Sequence, residues 1–229
     1  MAIKLVVFDM AGTTVEDKDN VHEALIKGFE LFNYKIDRAD ANTVMGIPKP
    51  MAIRTLLEEK FKLHEKVGEM VTKIHAAFVE EMISFYKNDP SVRAKKNAEE
   101  TFKALRAKGI KVGIDTGFSR DIADTIFDRL KWKENGLLDY TVTSDEVTNG
   151  RPFPDMIFKF MKDLNIKSAD EIAKVGDTVS DLQEGTSAGC KYVIGITTGA
   201  YTREALEPEE HTHLIDDLLE VVVIVTSEN

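Results

Sequence analysis

Ile3-Lys4-Leu5-Val6-Val7-Phe8-Asp9-Met10-Ala11-Gly12-Thr13-Thr14 is the stretch that decides the fold. Residues 3–8 are short, apolar and β-branched, the pattern of a strand buried on both faces. Asp9 ends the run and a Gly12-Thr13-Thr14 turn follows. In an open parallel sheet, ligands bind beyond the carboxyl ends of the strands, which is where this pattern puts Asp9.

The character changes over residues 18–87. Apolar residues recur at helical spacing: Ala24, Leu25, Phe29 and Phe32, then Ile53, Leu56, Leu57 and Phe61, then Val67, Met70, Val71, Ile74, Phe78 and Met82. This is a helical insert. Its last stripe reads as the insert's own core, part of which could serve as a homodimer face. Beyond it, strands alternate with helices. Thr101–Lys108 is helical and closes at Gly109. Strand Lys111–Asp115 precedes helix 120–130, with Ser119 as its N-cap. Strand Tyr140–Thr143, helix Asp155–Leu164, strand Glu171–Gly176, helix Ser180–Ala188 and strand Tyr192–Ile196 follow. Such alternation means βαβ units and a parallel sheet. Leu214–Val225 suits a final helix or strand equally. The expected architecture is α/β: a core of residues 1–15 and 88–229 interrupted by an all-helical cap of residues 16–87.

The 229 residues carry 43% apolar and 31% charged side chains, a soluble globular composition that excludes wholesale disorder. The net charge of −10 argues against a general nucleic-acid or anionic-membrane binder. No window approaches the ~18–20 apolar residues of a membrane span. The apolar run before Asp9 falls short of the roughly 7–15 residues of a secretory core. One cysteine, Cys190, permits no internal disulfide and no cysteine-based zinc site. A cytoplasmic setting is expected. The histidines show no metal-ligand spacing, and Trp132 reads as half-buried after a helix.

Four polar clusters fall at strand ends: Asp9, then Thr116-Gly117, then Arg151, then Asp177 with Asp181. Asp at a strand end is usually a turn former, and Arg in Gly150-Arg151-Pro152 would by default be a solvated loop charge. Their convergence selects the functional reading. Three carboxylates without histidine or cysteine suit Mg²⁺, which prefers hard oxygen ligands. Thr116 and the backbone N–H groups near Gly12 and Gly117 can donate to phosphate oxygens, and Arg151 can offset developing charge. Asp9 is the candidate nucleophile of metal-assisted phosphoryl transfer.

These motifs, in this order, resemble the haloacid dehalogenase-like hydrolase superfamily over nearly the whole chain. They are Asp9-Met10-Ala11-Gly12-Thr13-Thr14, Thr116-Gly117, Gly150-Arg151-Pro152-Phe153-Pro154 and Gly176-Asp177-Thr178-Val179-Ser180-Asp181. The resemblance implies a Rossmann-like core and Mg²⁺ bound by Asp9, Asp177 and the carbonyl of Ala11. Asp181 would support that site through water or Lys/Arg neighbours. Most phosphatases of the superfamily carry an acid where this chain has Ala11. Losing a positioned acid costs roughly 10²–10⁴ in rate.

Ala11 instead resembles the phosphonoacetaldehyde hydrolase (phosphonatase) subgroup, in which a cap lysine within Met-Gly-x-x-Lys forms a Schiff base with the substrate aldehyde. Met45-Gly46-Ile47-Pro48-Lys49 has that spacing, so Lys49 is the catalytic candidate. Its other reading is a solvated lysine ahead of a cap helix. Gly12, Thr13, Met45, Gly117 and Phe118 are the expected substrate contacts. The chain departs from the subgroup at Ala52, where the subgroup has histidine, and at Phe118, where it has tyrosine. Asp19 or a neighbour replaces a cysteine. The expected function is Mg²⁺-dependent cleavage of a small anionic phosphonate or phosphate through an aspartyl-phosphate. A phosphate monoester phosphatase with a different acid, or a phosphate-ligand binder without turnover, are the alternatives.

Overall fold

The computed structural model describes residues 2–227. Six parallel strands form one sheet in the order β3-β2-β1-β4-β5-β6: β1 (Leu5–Phe8), β2 (Lys111–Thr116), β3 (Tyr140–Thr143), β4 (Ile172–Gly176), β5 (Tyr192–Ile196) and β6 (His213–Ile215). β1 is central, paired with β2 on one side and β4 on the other. The chain order therefore reverses beside β1, which opens a crevice at its carboxyl end.

Side chains of β1 alternate between the two faces, as the strand period requires. Val6 and Phe8 join the core that contains α5 (Ala98–Ala107) and α6 (Arg120–Leu130). Leu5 and Val7 join Met156, Ile157 and Phe160 of α7 (Asp155–Asp163) on the opposite face. Helix α8 (Val179–Ala188) packs against β4 and β5.

Between β1 and α5 lie four helices: α1 (Asn20–Glu30), α2 (Arg38–Asn42), α3 (Lys49–Glu59) and α4 (Val67–Asn88). Along α4, Val71, Ile74, Phe78, Met82 and Tyr86 are buried, and the helix packs on α1, α3 and α6. Val67 and Met70, at its exposed start, are only half-buried. No helix among the described residues is long and apolar enough to cross a membrane.

The structure departs from the sequence reading in several places. The C-terminal apolar run contains both element types: β6, then α9 (Arg203–Leu206) having preceded it, and last α10 (Leu219–Thr226). The break comes at Asp216-Asp217, where the Asp217 carboxylate accepts from the Leu219 N–H. Ser119 flanks α6, but its hydroxyl caps nothing; the Asp145 carboxylate accepts from the Arg120 N–H instead. Trp132 is fully buried, with its indole N–H 2.9 Å from Glu99.

Candidate active site

Phe8 stands level with Ile114 and Val175 in the sheet. The residues at the carboxyl ends of these strands therefore emerge together at one edge: Asp9, Thr116 and Asp177. Beyond this edge a cleft holds about 450 Å³ of space not filled by protein atoms. Asp9, Ala11, Thr116, Gly117, Arg151 and Thr178 form its sheet side. Met45, Gly46 and Lys49 face them from the helical insert. The loop of Gly46 is seated on the sheet edge. Its φ is +82°, and a Cβ there would lie 2.4 Å from the Thr178 hydroxyl oxygen. Only glycine fits such an approach.

Arg151 is 1% exposed and reaches four carboxylates. Its Nη1 lies 2.6 Å from Asp9 Oδ1 and 2.9 Å from Asp181 Oδ1. Nη2 contacts Asp115, and Nε lies 3.1 Å from Glu184. Lys174, fully buried on β4, contacts Asp115 and lies 3.2 Å from Asp181 and 2.9 Å from Glu184. Buried charges persist only when paired, and here the pairing is dense. Burial, reinforced by Asp115, pushes Glu184 up to about 8, so this carboxyl holds its proton at neutral pH. Burial works against the Asp115 charge, but Arg151 and Lys174 hold its carboxyl below the usual range.

Among the described residues Asp177 makes no ion pair, though Lys95 acts on it from a distance. Its Oδ1 accepts from the Thr13 hydroxyl at 2.9 Å, and its Oδ2 from the Ala200 N–H at 2.6 Å. Burial and the neighbouring Asp181 push it up to about 6. Asp9 is pushed up to about 7 by burial, opposed by Arg151 and reinforced by Asp181 and Asp177. Oxygens of Asp9, Asp177 and Asp181 lie within 4.8 Å of one another. The carboxyl groups of Asp9, Asp115, Asp177, Asp181 and Glu184 outnumber the two cations among them, Arg151 and Lys174. A hard divalent cation matches both the donor set and the charge, and Mg²⁺ fits. A second acidic group, Asp115, Asp181 and Glu184, is as compact. Arg151 and Lys174 already fill it, so it calls for no metal.

Lys49 opens α3 and is 4% exposed. Its Nζ lies 3.5 Å from the Ile47 carbonyl, and no carboxylate among the described residues comes within ion-pair distance. Burial pushes it down to about 8, against the opposing pull of Asp9. Of its two sequence readings, the solvated lysine does not hold. The amine is buried, faces the cleft and is partly neutral at neutral pH.

The sequence profile of the haloacid dehalogenase-like hydrolases matches residues 6–195. The chain belongs to that family. The hydrolase is 31% identical to a phosphonoacetaldehyde hydrolase of Bacillus cereus (strain G9842), over 98% of this chain and 87% of the relative. A phosphonoacetaldehyde hydrolase of Bacteroides fragilis is 30% identical over 93% of this chain and 82% of its own length. Its fold is that of a phosphonoacetaldehyde hydrolase-like protein from Oleispira antarctica: TM-score 0.84, 22% identity, 99% of this chain and 92% of the other.

Not every expected substrate contact lines the hydrolase's cleft. Met45, Gly117 and Phe118 do, as does Ala11, an expected metal ligand. Gly12 and Thr13 face Asp177: a Cβ on Gly12, whose φ is +88°, would lie 2.2 Å from Asp177 Oδ2. These two support a carboxylate rather than the cleft wall. Conversely, Asp17 and His22 line the cleft although the sequence assigned them nothing. An aspartate shortly before a helix reads as a turn former, and Asp17, two residues before the N-cap Asp19, accepts from the Asn20 N–H at 2.7 Å. Asp115 had a readable signal, a carboxylate inside an otherwise apolar strand, which must find buried partners. Lys95 donates to the carbonyls of Gly12 and Thr198 and so ties down the turn after β1.

Proposed function

We propose that this hydrolase cleaves a small phosphonate by transferring its phosphoryl group to Asp9, with residues 16–87 acting as a cap over a core of residues 1–15 and 88–229. The observation that carries the reading is Lys49. It is a buried amine without an ion-pair partner among the described residues, pushed down to about 8, in the same cleft as Asp9. Neutral amines are nucleophiles toward carbonyls, and burial is the usual means of activating them. Asp9, Asp177 and the Ala11 carbonyl would hold Mg²⁺, with Asp181 behind them. The ion would supply charge neutralisation at the phosphoryl oxygens.

The chain's own groups perform the remaining steps. Lys49 condenses with the aldehyde of an α-phosphono aldehyde, and water leaves. The resulting iminium accepts the electron pair of the P–C bond as Asp9 Oδ attacks phosphorus, which leaves an enamine. Arg151, 2.6 Å from Asp9 Oδ1, holds the attacking carboxylate in place. Thr116 and the Gly117 backbone donate to phosphoryl oxygens. Met45 and Phe118 exclude water from the cleft. Water then hydrolyses the aspartyl-phosphate to free Asp9 and phosphate, while the enamine takes a proton at carbon and a second water hydrolyses the resulting iminium, which releases the aldehyde and the Lys49 amine.

The test is phosphate release from phosphonoacetaldehyde and from a panel of phosphate monoesters, with and without Mg²⁺, for the wild type and Lys49→Ala. Mg²⁺-dependent release from the phosphonate that disappears in the variant is the expected result. Release from monoesters alone, indifferent to Lys49, would replace this reading with a monoester phosphatase.

A further inference from the structure

An alkoxide or carbanion that departs from phosphorus needs a proton, and Ala11 beside the nucleophile has none to give. Asp9, Thr116, Arg151 and Thr178 on the sheet side of the cleft are committed to phosphoryl transfer or to each other. On the other side stand Asp17 and His22, from two different positions at the entry to α1. Asp17 Oδ1 is occupied by the N–H groups of Asn20, at 2.7 Å, and Val21, at 3.4 Å. That fixes the carboxyl group and leaves its second oxygen for the cleft. His22 is 5% exposed. Its Nε2 lies 2.7 Å from Asn42 Oδ1, while its buried Nδ1 makes no hydrogen bond among the described residues and stands 3.9 Å from Asp19 Oδ1. A second orphan stands nearby on α4. The Tyr86 hydroxyl, buried behind Phe118 with ring centroids 6.2 Å apart, also lacks a partner, and it feels the charges of Asp17 and Asp9. Buried polar atoms without hydrogen-bond partners are uncommon, and each marks a place where a polar ligand atom is wanted.

We propose that Asp17 is the acid–base residue for the leaving group, in a polar subsite completed by His22 Nδ1 and the Tyr86 hydroxyl. This rests on the phosphoryl-transfer reading of Asp9. When a P–O bond breaks, its electron pair stays on the leaving oxygen. The Asp17 carboxyl O–H breaks, and its proton binds that pair. When a P–C bond breaks, the pair passes into the Lys49 iminium and the same proton is taken up by the enamine carbon. Asp17, now a carboxylate, receives a proton from the water that attacks the phosphoryl group on Asp9, which restores the acid and releases phosphate. Burial raises the Asp17 carboxyl above its ordinary value, against the pull of the Asn20 and Val21 N–H groups. The charged and titratable groups around it are His22 and Asp19 at α1, Lys49 at α3, Tyr86 on α4 and Lys95.

The deciding variant is Asp17→Asn, because its amide oxygen keeps the turn before α1 and removes only the proton. The substrates are phosphonoacetaldehyde and phosphoglycolate, whose leaving groups require a proton, against acetyl phosphate, whose acetate leaves without one. Expected is a loss of about 10²–10⁴ in kcat on the faster of the first two, and a loss at least tenfold smaller on acetyl phosphate. Tyr86→Phe, which deletes only an unpartnered hydroxyl, is expected to lose rate on the same substrate with an unchanged unfolding midpoint. Equal losses on both substrate types would mean that Asp17 acts only as a turn former and would overturn the proposal, as would no loss on either. Wild-type protein that cleaves none of the three overturns the phosphoryl-transfer reading and this proposal with it. That failure is separate because it shows before any substitution.

Discussion

Arg151 Nη1 bridges Asp9 and Asp181, 2.6 Å from one carboxylate and 2.9 Å from the other. The bridge ties the turn after β1 to α8, and the same guanidinium continues to Asp115 and Glu184. One side chain thus orients the nucleophile and neutralises the buried ends of two strands and a helix.

Arg151→Met should therefore damage both fold and function. Removing one partner of a buried ion network leaves its carboxylates uncompensated, which costs about 3–5 kcal/mol. Urea unfolding should show the lower stability, and phosphate release should fall below detection. A variant as stable as the wild type would mean that the carboxylates take up protons instead.

Lys49 sets the pH dependence. Its amine is pushed down to about 8 from 10.5. The neutral fraction at pH 7 is about a tenth, against less than a thousandth for an ordinary lysine. Turnover of an aldehyde phosphonate should rise with pH through about 8, and borohydride should trap the substrate on Lys49. The stability sign follows from the same shift. The unfolded chain holds the lysine proton more tightly, so burying the charged amine opposes folding below pH 8. That cost fades between 8 and 10.5. Lys49→Met should be inactive on the aldehyde yet more stable at pH 7, by up to about 3 kcal/mol.

Gly12→Ala tests the metal site without touching a carboxylate. Its added Cβ would fall 2.2 Å from Asp177 Oδ2, at a φ of +88° that alanine resists. Asp177 must move. Isothermal titration should show Mg²⁺ affinity at least tenfold weaker, and the Mg²⁺-induced gain in unfolding midpoint should shrink. Unchanged affinity would place the ion away from Asp177.

The order of strands and helices was legible because buried strands and amphipathic helices write different periods into the chain. Strand ends then located Asp9, Thr116, Arg151 and Asp177, since topology alone gathers them at one edge. The insert was harder. Lys49 has a motif but no sequence mark of its burial, which comes from the packing of α3 and the loop around Gly46. Asp17 and His22 carry no sequence mark of the cleft they line, and only tertiary folding turns them toward Asp9. Trp132 was misjudged for a similar reason: its partner Glu99 lies on another helix. The last apolar run could not be split by periodicity, because the aspartates at 216 and 217 break it through their own hydrogen bonds.

The most direct measurement is capture of the phosphoryl group on Asp9. Enzyme, Mg²⁺ and substrate are mixed, quenched in acid within one turnover and mapped by peptide mass spectrometry. Phosphate on the peptide containing Asp9, absent from Asp9→Asn, with turnover of that variant reduced by roughly 10⁴ or more, is the expected result. Rapid phosphate release with no phosphorylated Asp9, or an Asp9→Asn variant that turns over at the wild-type rate, would contradict the account.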